Sequence, residues 1–123
     1  MNCPVQASLG ILGRKWTLLI LRSVAFLKIK RFSKILQAIP GLTPRVLSMR
    51  LNELEEHGFI RRTSDSLPNE VHWILTEKGK DVLPILLRLV EFGSKWHAEI
   101  VFSDRKPRTL KQLFIQKEIR RYL

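Results

Sequence analysis

Cysteine is almost missing from this chain of 123 residues: the single one, Cys3, excludes an internal disulfide. Acidic residues are scarce, eleven against 22 Lys and Arg, for a formal net charge of +11. His57, His72 and His97 lie far apart and no second cysteine accompanies the first, so no metal site is expected. The six glycines, at 10, 13, 41, 58, 79 and 93, compose no phosphate-binding loop. No apolar run is long enough to span a bilayer and no signal peptide is visible, which predicts a cytoplasmic protein without a membrane partner. No nucleophile–base pair can be argued, so neither an enzyme nor a resident cofactor is expected. Internal repeats and low-complexity linkers are missing as well.

What remains is a chain with 45% hydrophobic residues, enough for a real core in one domain. Its charge is unevenly placed. Residues 1–62 carry eleven Lys and Arg against Glu53, Glu55 and Glu56, residues 63–104 are mildly acidic, and residues 105–123 are again basic. A basic first half and a basic tail suggest a polyanionic partner.

The local signals follow in order. Pro4 suits the first turn of a helix with Cys3 at the cap, Val5, Leu9 and Leu12 recur at helical spacing, and Gly13 ends the run. Residues 15–24 are apolar on most sides and predict a central buried helix. Residues 28–31 predict an extended link, and 32–38 a third short helix stopped by Pro40-Gly41. Thr43 caps a fourth helix with Pro44 at its first position, and Gly58 suits its left-handed exit. Residues 59–64 and 70–75 predict two strands around a Leu67-Pro68-Asn69 turn. Thr76 opens a long helix to about Val101, with Pro84 as a kink, and Pro107 starts a last, basic helix. The expected class is mainly α with a small β-hairpin, a winged helix-turn-helix. Its domain would run over 1–101, with 102–123 as a C-terminal basic helix.

The fourth helix divides its polar residues lengthwise. Arg45, Ser48, Arg50 and Asn52 occupy its first half, and three glutamates its second. At about 100° per residue, Leu47, Leu51 and Leu54 share one face, while Arg45, Ser48, Met49 and Asn52 share the opposite one. In helix-turn-helix docking the first turns of this helix enter the major groove and the far end backs away from phosphate. Acids near a helix C-terminus oppose the usual dipole preference, so an ordinary surface helix explains the split less well. Thr43, Pro44, Arg45, Ser48, Met49, Arg50 and Asn52 are therefore the candidate recognition residues. Arg14 and Lys15 at one helix start, Arg31, Ser33 and Lys34 at the next, and Arg61, Arg62 and Asn69 on the wing are candidates for phosphate contact.

These residues resemble the HxlR family of winged-helix transcriptional regulators, similar in fold to the MarR regulators. The resemblance covers Cys3 to about His97. It rests on Cys3-Pro4-Val5, Gly13-Arg14-Lys15-Trp16, Arg31-Phe32-Ser33, Pro40-Gly41-Leu42, the Leu-Glu-Glu-His-Gly run at 54–58, and Leu75-Thr76-Glu77-Lys78-Gly79. It implies a homodimer on palindromic operator DNA, built through the first and last helices, and in some members an N-terminal cysteine that senses oxidants or electrophiles. Glu70 departs from the basic residue frequent there, as do Met49 and Arg50 from glutamine-like residues, so no operator sequence carries over.

Two expectations complete the reading. Val82, Leu86, Leu89, Trp96 and Ile100 form an apolar seam on the long helix, with Ile85, Leu87 and Phe92 off it. That is more apolar surface than one small domain can cover, so a second chain should cover the rest. Cys3 at a helix start is the candidate redox sensor, since that position favours the nucleophilic thiolate; the alternative is an inert, buried thiol. A winged-helix protein-interaction module and a basic RNA-binding protein are the rival functions. Trp16 and Trp73 are expected in the core rather than in a ligand pocket.

Overall fold

The computed structural model describes residues 3–26, 31–63 and 71–115. The chain divides into two compact units at Lys80/Asp81, inside the span expected to be one winged-helix domain.

The first unit begins with α1 (Pro4–Leu12), α2 (Thr17–Ala25), α3 (Phe32–Ala38) and α4 (Pro44–Glu56). Each boundary has a local cause. Cys3 caps α1, its Sγ accepting the Gln6 N–H at 3.5 Å, and Pro4 occupies the first turn, where no intrahelical N–H partner is lost. Thr43 caps α4 through Oγ1, which accepts the Val46 N–H at 3.3 Å, again with proline in the first turn. Gly58 leaves α4 with φ +78°, a conformation that costs glycine nothing and an L side chain about 1–2 kcal/mol.

The second helix starts later than its apolar run suggests. Residues 14–16 form a turn, and Trp16, the residue before α2, is left-handed with φ 78°. Its indole lies so close to Gly41 that a β-carbon there would come within 3.3 Å of Trp16 Cη2. The turn ahead of α2 is thereby packed on the turn between α3 and α4.

The core of this unit follows the expected faces. Ile20, Leu21 and Val24 of α2, Ile35 of α3, and Leu47, Leu51 and Leu54 of α4 are all buried. Each such aliphatic side chain contributes roughly 1.5–3 kcal/mol relative to exposure. Of the tryptophans placed in the core from sequence, Trp73 is buried and Trp16 partly so.

An antiparallel hairpin closes the unit: β1 (Ile60–Thr63) and β2 (His72–Leu75), with Ile60 opposite Leu75 and Arg62 opposite Trp73. The expected Leu67-Pro68-Asn69 turn and the extended link at 28–30 lie outside the described residues. Both strands are shorter than anticipated. Phe59 precedes β1, and its carbonyl accepts the Thr76 N–H at 3.1 Å.

The segment after β2 fastens the end of α4. The Thr76 hydroxyl donates to the Gly58 carbonyl and accepts the Gly79 N–H, while Lys78 Nζ donates to the His57 carbonyl at 2.6 Å. These bonds satisfy carbonyls that a helix end leaves open. The short helix α5 (Glu77–Lys80) approaches so closely that a β-carbon on Gly79 would stand 2.0 Å from the Phe59 carbonyl oxygen.

The second unit holds α6 (Leu83–Trp96), α7 (Ala98–Val101) and α8 (Leu110–Ile115). The long helix expected from Thr76 to about Val101, kinked at Pro84, is thus three helices. Asp81 and Val82 form a turn after α5, Pro84 lies in the first turn of α6 rather than in an interior kink, and His97 separates α6 from α7. Pro84 has no N–H to donate to a preceding turn, which suits a helix start and opposes an interior position.

The predicted seam is not covered as a whole. Val82 and Leu86 are buried, whereas Ile85, Leu89, Phe92 and Trp96 are the exposed apolar residues of α6. The last helix starts at Leu110 rather than at Pro107, and residues beyond 115 lie outside the described set. Leu113 of α8 is fully buried, and the Arg108 N–H donates to the Ser94 carbonyl at 3.1 Å, which folds this segment back on α6. The Lys106 backbone N–H, with the Arg108 guanidinium, holds the exposed Asp104 carboxyl below its ordinary pKa.

Candidate nucleic-acid interface

The outward face of α4 presents Arg45, Ser48, Met49 and Asn52 to solvent, and Thr43 and Pro44 at its start are exposed too. The hydrophobic stripe at Leu47, Leu51 and Leu54 compels this orientation, because burying it turns the opposite side outward. The first turns of α4 contain no acidic residue.

The glutamates of α4 have local partners. Glu53 binds Arg14 (Nη1 to Oε2, 2.9 Å) and Arg50 (Nη1 to Oε1, 3.0 Å). Glu55 reaches Arg62 of β1 at 3.4 Å. On a helical projection Glu53 and Glu55 lie on opposite flanks of the outward face. One flank is tied to the turn ahead of α2 and the other to the wing. Two of the three late acids therefore hold arginines from neighbouring elements, in addition to lying away from the first turns.

Arg50 has a different placement from the other recognition candidates. Its side chain is 16% exposed, and its Nε donates to the Lys15 carbonyl at 2.9 Å. It ties α4 to the turn ahead of α2 rather than projecting outward. Sequence spacing shows the Arg50–Glu53 pair, which is three apart on one helix, but gives no sign of Arg14 or the Lys15 carbonyl.

The candidates for phosphate contact come from three neighbouring elements. Arg14 and Lys15 are exposed, with the Lys15 ammonium 5.0 Å from the centre of the Trp16 ring. Arg31, Ser33 and Lys34 are exposed at the start of α3. Arg31 Nε donates to His72 Nε2 at 3.4 Å, a contact between α3 and the wing that sequence did not suggest. Arg61 and Arg62 are both exposed, and the Arg62 guanidinium lies 4.9 Å from the centre of the Trp73 ring. Asn69 lies outside the described residues.

Between α3, α4 and the wing runs an open groove of about 260 Å³. Phe32, Leu51 and Trp73 line it together with the polar groups of Ser48, Asn52 and Arg62. Among the described residues, no group of three or more His, Cys, Asp or Glu could hold a metal ion, and no helix is long and apolar enough to cross a membrane.

The three helices α2, α3 and α4, the last of them presenting an acid-free outward start, followed by an antiparallel hairpin, define a winged helix-turn-helix protein. The chain belongs to the HxlR-like helix-turn-helix family, whose model matches residues 11–101. It is similar to an uncharacterized HTH-type transcriptional regulator of Methanothermobacter thermautotrophicus, 41% identical over 105 residues, 85% of this chain and 79% of the relative. Among solved structures it resembles the redox regulator HypR in its reduced form, at 30% identity over 83% of this chain and 99% of that one, TM-score 0.64. It also resembles the reduced form of the transcriptional regulator YodB from B. subtilis, at 28% identity over 78% of this chain and 95% of that one, TM-score 0.61. Quinone-bound and diamide-treated YodB match at TM-scores of 0.59 and 0.58.

Proposed function

We propose that the protein is a homodimeric transcriptional regulator that sets the first turns of α4 into the major groove of a palindromic operator. The observation that carries this reading is the outward face of α4. Arg45, Ser48, Met49 and Asn52 are exposed together, without an acid in the first turns. Arg45 in the first turn suits bidentate donation to a guanine edge, and Asn52 suits an adenine edge. Lys15, Arg31, Ser33, Lys34, Arg61 and the flank residues Arg14 and Arg62 supply phosphate contacts that set register. Arg50 acts from behind the face, through the Lys15 carbonyl and Glu53.

Dimerisation uses the apolar residues that α6 and α1 leave uncovered. Ile85, Leu89, Phe92 and Trp96 recur at spacings of four, three and four, the seam along which two helices pack. Val5 and Leu9 on α1 are likewise exposed, and the resemblance to the family assigns the first helix to dimerisation too. The segment at 102–123 is assigned to it as well, its described part folding back on α6 through the Arg108 N–H and the Ser94 carbonyl. The two recognition helices then lie about 34 Å apart, or a multiple of that, as successive major grooves require.

Cys3 is the sensor in this reading. It is exposed within the chain, which supports this reading over an inert, buried thiol. Two similar regulators, the redox regulator HypR in its reduced form and YodB in reduced and diamide-treated forms, support a thiol role here. Oxidation gives a sulfenic acid, a mixed disulfide or an inter-subunit disulfide, since each chain has one cysteine.

The test is duplex binding by the purified protein, using fragments selected from genomic DNA, random duplex and single-stranded RNA. A sequence-dependent affinity for duplex that falls steeply with salt is expected. Equal affinity for all three nucleic acids, or none for any, would overturn the reading.

A further inference from the structure

We infer that Glu53 is a positioning residue for sequence reading: its carboxylate locks the turn ahead of α2 to α4 and so raises discrimination between DNA sequences. This rests on the docking of α4 proposed above. Charge alone forecasts the reverse. A carboxylate beside a phosphate-binding surface repels DNA, so removing it should strengthen binding to every sequence.

The geometry gives Glu53 another part. Both oxygens are engaged: Oε2 by Arg14 Nη1 at 2.9 Å, and Oε1 by Arg50 Nη1 at 3.0 Å. The side chain is 22% exposed, so the pairs are only partly screened by water. Arg50 extends the network, since its Nε donates to the Lys15 carbonyl at 2.9 Å. One carboxylate thus joins α4 to two residues, Arg14 and Lys15, that lie more than thirty positions earlier in the chain.

What lies at the far end makes this connection consequential. The turn contains Trp16 in the left-handed region, at φ 78°. A non-glycine residue there costs of order 1–3 kcal/mol and persists only where its surroundings hold it. That turn also carries Lys15, a proposed phosphate contact, while α4 carries Arg45 and Asn52. Sequence discrimination requires the two sets to keep a fixed spacing, because phosphate contacts set the register in which base edges are met. Without Glu53, Arg14 loses its ion pair and Arg50 keeps only the Lys15 carbonyl, which leaves two uncompensated cations on a looser surface. Random DNA then gains attraction, and the operator loses register.

The test compares wild type with Glu53→Gln, Arg50→Lys and Arg45→Ala. Each is titrated with the best operator duplex and with random duplex of equal length, at several salt concentrations. Glu53→Gln is expected to lower the operator-to-random affinity ratio about tenfold, with random-DNA affinity unchanged or tighter. Arg50→Lys keeps the charge but loses the bond to the Lys15 carbonyl, and should lower the ratio in the same direction; it carries the same test should Glu53→Gln fail to fold. A role confined to stability would reduce both affinities with the folded fraction and leave the ratio unchanged. An unchanged ratio, or operator and random affinities rising together, overturns the proposal. If Arg45→Ala collapses the ratio while Glu53→Gln does not, the role of Glu53 fails and the docking of α4 stands. If neither substitution moves the ratio, the docking itself is wrong.

Discussion

Replacing Gly79 by alanine should destabilise the protein by about 3 kcal/mol, although alanine is the better helix former. Gly79 lies in α5 without a positive φ, so the backbone accepts alanine and gains up to about 1 kcal/mol from propensity. Space decides against it. The new β-carbon would stand 2.0 Å from the Phe59 carbonyl oxygen, where ordinary carbon–oxygen contacts are about 3.3–3.6 Å. The obstacle is backbone on both sides, so α5 must withdraw by more than about 1 Å, and overpacking of this kind costs about 1–3 kcal/mol. Withdrawal also pulls Thr76 from the Gly58 and Phe59 carbonyls and Lys78 from the His57 carbonyl. Loss of two of these three bonds adds about 1–3 kcal/mol. After the propensity gain is subtracted, a melting temperature lower by roughly 15 °C is expected in thermal unfolding followed by circular dichroism. Gly10→Ala is the control, because a β-carbon there meets nothing within 4 Å and should leave stability unchanged or slightly higher. A Gly79→Ala protein as stable as wild type would refute the reasoning and show that α5 yields without cost.

Two further outcomes are expected. Phe92 is 57% exposed, so Phe92→Lys should keep the fold yet sediment as a monomer at micromolar concentration where wild type is a dimer; a persisting dimer would put the interface elsewhere. Cys3→Ser should keep the fold and the reduced-state DNA affinity, and should abolish any loss of binding caused by a mild oxidant and reversed by reductant. Wild-type affinity that stays constant while mass spectrometry shows Cys3 modified would exclude it as a switch.

The elements that were legible before folding are those whose signals are local. Cys3-Pro4, Thr43-Pro44 and Gly58 mark helix ends through caps and backbone preferences that act within one turn, and α1, α3 and α4 follow them closely. The leucines at 47, 51 and 54 turned α4 the expected way, and with it the exposed candidates. What escaped was set by contacts across the chain. Residues 14–16 read as helix, but Trp16 packing by Gly41 makes them a turn. Arg50 read as a DNA contact because its partner, the Lys15 carbonyl, comes from a different element, as does Arg14, with which it shares Glu53. The apolar residues expected on one seam part company: Val82 and Leu86 are buried whereas Leu89, Trp96 and Ile100 are exposed, because packing within the second unit, not spacing along the helix, sets which side is covered.

The most direct measurement of whether α4 reads DNA is the base preference of Arg45→Ala. Wild type and variant are titrated against the selected operator, against a set of operators substituted singly at each position, and against random duplex. Loss of about 1–3 kcal/mol on the best operator is expected, together with relaxed preference at one base pair in each half-site and little change on random duplex. Uniform weakening on every duplex would make Arg45 a phosphate contact, and unchanged affinity and preference would contradict major-groove reading by the first turns of α4.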